Sequence, residues 1–388
     1  MPARTLGGIG RSSQSAIPVL RAAQCDVAIG SHITYSRASA GTRYTSAGLL
    51  ATMASGVPRI DYDPVSLAVR GLLIEEQRSN LLTYSEQFDN AAWSRFGTTS
   101  VSADSATAPT GTAVADRVNL TSASSGMYLM VAASALTPYV ASFHQKASTP
   151  QSNFVLINTN LSDPAFLSAS VTTAWQRFAV VKTTATGTTI AAGQISDAGA
   201  GGTAVDVFGG MLEAATADYP HATSYIPTVA AQATRAADDA TITGDAFTAL
   251  YNAAAWGAFL RFRLTNAVGT RPVLSFDDNT ANNRIEVYAS GTSLKLRVVT
   301  GGAQQCDTTI GTVAANTDYK LAISQDGGAF LCTLNGAAEV SAAAASMPTV
   351  DRARLGRNQA GNYLNGHLHT WDAYRRAVPV RERLELTA

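Results

Sequence analysis

The sequence predicts an all-β protein built from two successive antiparallel β-sandwich (jelly-roll) domains. Short runs of apolar and β-branched residues recur between polar turns, and stretches with a 3.6-residue apolar period are almost absent. With 388 residues, 46% of them hydrophobic, the chain can bury the cores of two or three domains.

Residues 1–82 are rich in Gly, Ser, Arg and Pro and show few clear strands. They read as an extended N-terminal attachment module, an arm that needs other chains to bury its apolar face. At its end lies GLLIEEQRSNLLTYSEQFDNAAW, residues 71–93, where carboxylates, an arginine and large apolar side chains crowd together in a chain that is only 14% charged. The adjacent Glu75 and Glu76 invite an acid/base reading. Neighbours on a strand point to opposite faces, however, and on a helix they diverge by about 100°, so the two do not converge on one bond. Thr83 and Glu86 have capping-box spacing, which predicts a short helix through SEQFDNAAW. Phe88 and Ala92 would share its buried face, and Trp93 would close its end. The stretch is therefore a structural joint, with Glu75, Glu76 and Arg78 salt-bridged within it or to a neighbouring subunit.

The first sandwich is expected over residues 83–235, where NFVLINTNL, AWQRFAVVKTT and AVDVFGGMLEA repeat the strand pattern. Pro227 and a polar, alanine-rich segment end it near Arg235. The second, residues 236–388, contains RPVLSFDD, NRIEVYAS and SLKLRVVT, separated by DDNTANN and GTS. Ile285, Val287 and Ala289 share one face of a strand there, and Arg284, Glu286 and Tyr288 the other. DYKLAISQDGGAFLCTLNG reads as a hairpin turning at Asp326-Gly327.

Balanced charge, 28 basic against 28 acidic residues, leaves no long-range field to attract nucleic acid or an anionic membrane. No apolar run approaches the ~20 residues of a membrane span, and AIPVL is too brief for a signal-peptide core. Cys25, Cys306 and Cys332 are odd in number and dispersed, which fits neither a disulfide framework nor a zinc cluster and points to folding in a reducing cytoplasm. No GxSxG elbow occurs, and AGAGG at 198–202 lacks the lysine of a phosphate loop. No catalytic residue, cofactor or metal is assigned. His367 and His369 form an HxH without an identifiable third ligand, and DDNTANN reads as Asx turns before it reads as a calcium loop. If a sugar is recognised, the candidates are Arg284, Tyr288 and Arg297, which lie opposite the apolar face.

The run from RASAGTRYTSAGLL to YSEQFDNAAW resembles the N-terminal module of tailed-bacteriophage fibre and spike proteins, RGLLIEEQRSNLL and YSEQFDNAAW being its most specific phrases. GGMLEAATADYPHATSYIPT with TRAAD resembles the closing strands of a carbohydrate-binding-module-like sandwich. VLSFDD, NRIEVY and YLNGHLHTWDAYRRAV look like a laminin-G or concanavalin-like jelly roll. These resemblances span about residues 31–388. They imply a non-enzymatic virion protein, folded in the bacterial cytoplasm and exposed on the particle, where it contacts other virion proteins and host-surface polysaccharide. They also imply a homo-oligomer, commonly a trimer. No β-helical body or depolymerase domain follows the module, so a compact knob, collar, baseplate part or capsid decoration is implied as much as a fibre. The rival expectations are a polysaccharide-degrading enzyme using carboxylates such as Asp277 or Glu286, and a purely architectural protein without a ligand.

Overall fold

The computed structural model describes residues 16–21, 32–122, 125–159, 163–184, 189–196 and 203–388. Cys25 and the AGAGG segment lie outside them. Strand, turn and sheet dominate as expected, and the sheets form two sandwiches.

In the C-terminal third the alternating pattern folds as read. Thr270–Asp277, Arg284–Ser290 and Ser293–Thr300 are consecutive antiparallel neighbours in a seven-stranded sheet. Ile285, Val287 and Ala289 enter the core, as does the alternate set on the next strand, Leu294, Leu296 and Val298. The facing sheet has eight strands, with Ala255–Leu264 paired between Asp318–Asp326 and Gly366–Tyr374. The expected hairpin is present, with its turn one residue further on. Asp326 pairs with Ala329, and the two loop residues are Gly327 and Gly328, both at positive φ (54° and 89°). That is the geometry of a type I′ turn, which Gly-Gly satisfies without strain.

The middle segment forms two five-stranded sheets. One runs Gln176–Thr183, Pro138–Lys146, Thr203–Ala214, Ala113–Leu120, Thr99–Thr107. The other runs Asp163–Val171, Gln151–Thr159, Thr189–Ser196, Gly126–Ala132, Ser94–Phe96. Val118, Leu120, Met127, Phe143, Val205 and Leu212 fill the space between them.

Two expectations are corrected. The segment up to residue 82 does not wait for other chains to cover its apolar face. Val69–Ile74 pairs with Gly366–Tyr374 in the eight-stranded sheet, Ile60–Tyr62 adds to its edge, and Thr34–Ser36 pairs with Asp239–Thr243 in the seven-stranded sheet. Val19, Leu20, Ile60, Leu72 and Ile74 thereby join the same core as Leu368 and Trp371. The two phases of chain meet because strands with exposed N–H and C=O groups gain partners at an open sheet position.

The capped helix after Thr83 is also absent. Residues 84–93 make successive tight turns, with Gln87, Asn90 and Trp93 donating backbone N–H groups to Tyr84, Gln87 and Asn90. Tyr84 sits at φ 50°, and the amides of Phe88 and Asp89 donate to the carboxylate of Asp116 on the strand Ala113–Leu120. The helices that do form are short, Gly244–Leu250 and Val380–Thr387, and no described helix is long and apolar enough to cross a membrane.

Gly71 makes the added strand possible. It pairs with Asp61 at φ 123°, and a Cβ there would lie 2.4 Å from the carbonyl oxygen of Leu368. Gly71→Ala is expected to cost about 2–3 kcal/mol, because both the φ value and the backbone contact resist a side chain. Urea unfolding would measure it, and a loss below about 0.5 kcal/mol would mean that the strand relaxes away from its neighbour.

Candidate binding cleft at the junction of the sandwiches

The strand Val69–Ile74 ends where the two sandwiches meet, and Glu75 follows it into a buried charged cluster. Glu75 accepts hydrogen bonds from the Ser224 amide (2.8 Å) and hydroxyl (2.7 Å), and pairs with Arg59 (2.8 Å) and Arg235 (3.5 Å). Asp238 takes Arg59, Arg37 (3.3 Å), the Tyr35 hydroxyl and the Glu75 amide (2.9 Å). All three guanidinium groups are sealed from solvent, as is Asp238. Burial alone would raise the Glu75 pKa, but Arg235, Arg59 and the two Ser224 hydrogen bonds together hold the carboxyl well below the usual range. Burial, followed by the like charge of Arg59 in opposition to its carboxylate partners, lowers Arg235. The groups that answer Glu75, namely Arg59, Arg235 and Ser224, all lie outside the stretch 71–93.

The other joint residues divide between the sandwiches. Glu76 pairs with Arg78, whose guanidinium also donates to the carbonyls of Ala214 and Tyr219 (2.8 Å) in the middle segment. Asn80, which the sequence did not single out, is fully buried and bridges further. Its Nδ2 donates to Gly210 O (2.9 Å) and Ile226 O (2.8 Å), and its Oδ1 accepts from the amides of Leu82 and Leu212. Glu86 accepts from the Tyr225 hydroxyl (3.0 Å), not from a helix start at Thr83. Phe88 and Trp93 are buried as expected, their rings 4.9 Å apart and both near Phe143.

Beside the cluster opens a cleft of about 140 Å³ whose walls come from both sandwiches and from the hairpin Gly41–Tyr44/Leu50–Met53. Tyr44, Asp61 and His367 face it from one side, and His144 and Arg177 from the other. Asp61 accepts from the Tyr44 amide (2.7 Å) and meets His367 Nε2 at 2.9 Å. The Tyr44 hydroxyl lies 3.1 Å from His144 Nε2. Burial first, and then Arg177, push His144 down to about 3, so the ring is neutral at pH 7. Burial raises the Tyr44 phenol against the opposing pull of Arg177, so it too stays uncharged. The cleft thus offers a neutral hydroxyl–imidazole pair, two carboxylates already engaged, Asp61 and Glu75, and arginines at its rim, a set of convergent polar groups suited to a small polar ligand.

The sugar candidates read from sequence are brought together on the outer face of the seven-stranded sheet. There they engage one another. Arg297 and Arg284 both turn to the buried Glu286, which also accepts from Asn358 (2.7 Å). The Arg297 guanidinium covers the Tyr288 ring at 4.4 Å, and the phenol donates to Asp307 (2.9 Å). A pyranose stacking on Tyr288 has to displace Arg297. Asp277 is likewise buried against Arg354 (2.9 Å), so neither Asp277 nor Glu286 stands free at a cleft. His367 and His369 also separate, the first on Asp61 and the second on Thr370 (2.9 Å), because the strand carries a bulge in its pairing at this point. Among the described residues no group of three or more His, Cys, Asp or Glu could hold a metal ion. In DDNTANN, Asp278 accepts from Thr280 and Asn283, the internal bonding of Asx turns. Cys332 is buried in the core and Cys306 packs against it.

No protein-family model matches the chain, and no curated protein matches it. Solved structures do. The Ruminococcus gnavus IT-sialidase CBM40 bound to α2,3-sialyllactose is 15% identical with a TM-score of 0.32, covering 37% of this chain and 86% of that one. The NanB sialidase of Streptococcus pneumoniae is 15% identical with a TM-score of 0.31, covering 38% of this chain and 26% of that one. The binding domain of botulinum neurotoxin DC in complex with rat synaptotagmin II is 9% identical with a TM-score of 0.33, covering 39% of this chain and 40% of that one. At these scores the likeness carries nothing further about this chain.

Proposed function

We propose that the chain is a non-enzymatic structural protein of a tailed-phage virion that adheres to host-surface glycans. The observation that carries the reading is the fate of RGLLIEEQRSNLL, the most phage-like phrase of the sequence. Its Glu75 bonds Arg59, Arg235 and Ser224 across the junction, and its Arg78 and Asn80 fasten the chain to the middle sandwich, which is an architectural task. A body of two joined sandwiches suits display on a particle, where weak contacts to a repeated glycan gain avidity from copy number. In this reading the chain self-associates, as a trimer, and meets other virion proteins through its N-terminal segment.

Mass spectrometry of gradient-purified particles from the producing strain tests the first half, together with labelling of the intact particle. The chain is expected at a fixed copy number in mature virions, and its absence from them would refute the reading. Binding of the full chain to host cells tests the second half. Saturable binding supports adhesion, whereas a virion component that binds no cell or surface polysaccharide is architectural only.

A further inference from the structure

We infer that the cleft between the sandwiches is a receptor site for a carboxylate-bearing sugar, a hexuronate unit of an acidic polysaccharide, with its carboxylate seated on Arg177. The inference rests on the adhesion reading and specifies its ligand. Two arginines line the cleft without a carboxylate partner among the described residues. Arg177 donates to Thr223 O, to Ser142 Oγ (2.8 Å) and towards the Met211 sulfur, and its Nε is buried without a hydrogen bond. Arg43 donates to Ile60 O and reaches the sulfur of Met53. The buried cluster behind them sets three arginines against Glu75 and Asp238, with the Glu213 carboxyl also near Arg235 and Arg177. The acids that face the cleft are already engaged, Glu75 by Arg59 and Arg235, and Asp61 by His367 and the Tyr44 amide.

A carboxylate is the acceptor that answers an arginine without a charged partner most strongly. The neutral partners around it favour a sugar over a bare anion. The Tyr44–His144 pair stands beside Arg177, whose charge bears on both groups. The Tyr44 phenol, held on His144 Nε2, can donate to or accept from a ring hydroxyl.

Isothermal titration of the full chain with D-glucuronate and D-galacturonate, against D-glucose and D-galactose, isolates the carboxylate, since each pair differs only at C6. Uronates are expected to bind at least about tenfold tighter than their neutral counterparts, with the difference shrinking as NaCl is raised. Arg177→Gln should abolish the preference and Arg177→Lys retain part of it, with each variant's folding confirmed by its thermal melt. Equal binding of uronate and hexose by the unmodified chain overturns the inference whether or not the variants fold, and so does a preference that survives in folded Arg177→Gln. Host-cell binding with no uronate preference sinks this inference and leaves adhesion standing. Failure to bind cells or isolated polysaccharide sinks both.

Discussion

Glu75→Ala is expected to destabilise the protein by about 3–5 kcal/mol, while Glu76→Gln, one residue on, costs roughly 1 kcal/mol or less. Removing the Glu75 carboxylate leaves Arg235 with only a distant carboxylate partner, Asp238 at 3.9 Å, and takes the acceptor from the Ser224 amide and hydroxyl. A buried pair need not stabilise a fold relative to an apolar one, but a buried charge stripped of its partner is costly. Glu76 is less enclosed, and Arg78 keeps its two carbonyl acceptors when the charge is lost. The pH dependence carries the same signature. The folded pKa of Glu75 is depressed, so its contribution is fully present above the unfolded value of about 4.3 and is lost as pH falls through the folded value. The gap in stability between wild type and Glu75→Ala should therefore be constant from about pH 7 to 5 and close only on acidification below about 4. Urea titrations at several pH values measure it. A gap that closes instead as pH rises above 7, or a Glu75→Ala cost below 1 kcal/mol, would refute the charged-joint account.

How far the sequence reveals this structure depends on the reach of each interaction. The strands Arg284–Ser290 and Ser293–Thr300 were legible because one face of each is buried and the other polar, so alternation survives in the composition. In Leu72-Leu73-Ile74 it does not. Leu72 and Ile74 enter the sandwich core and Leu73 lines the cleft, so three consecutive buried residues hide the strand period. Nor does anything near residue 72 announce a partner at Leu368. The helix expected after Thr83 failed for a related reason. Its capping spacing was sound, but the amides of Phe88 and Asp89 are satisfied by Asp116, a partner that no local pattern contains.

The cleft was less legible still. Tyr44, Asp61, His144, Arg177 and His367 come from five separate strands or their ends, and only His367 stood in a recognisable motif, an HxH to which no metal was assigned; it meets a carboxylate. One usable signal was the excess of arginines over lysines among the residues flanking the joint, since arginine is the cation that tolerates burial. A charged stretch in a charge-poor chain marks interior wiring as readily as surface chemistry. The distinction rests on whether each carboxylate has a buried guanidinium to answer it, as Glu75 does twice.

Trp93→Ala is expected to cost about 3–5 kcal/mol, as large as the loss of Glu75 but by packing instead of charge. The indole lies 4.9 Å from the Phe88 ring and 6.3 Å from Phe143, edge-on to the latter, and its Nε1 donates to Tyr84 O (3.0 Å). Truncation opens a cavity lined by two aromatic rings that the surrounding strands cannot collapse to fill, and it removes one of the two donors to the Tyr84 carbonyl, which keeps the Gln87 amide. Trp93→Phe keeps most of the volume and loses the hydrogen bond, so about 1–2 kcal/mol is expected from it. A double-mutant cycle with Phe143→Leu should show coupling of about 0.5–1.5 kcal/mol, the worth of an aromatic pair beyond its buried area. Because the turns of residues 84–93 hold the ring in place of a helix, Gln87→Pro serves as the contrast. It removes the amide that bonds Tyr84 O at 3.2 Å and should loosen the same site without touching the rings. If Trp93→Ala unfolds with a midpoint within error of wild type, the aromatic anchor is not what secures the joint to the middle sandwich, and Asn80 with Arg78 must do so alone.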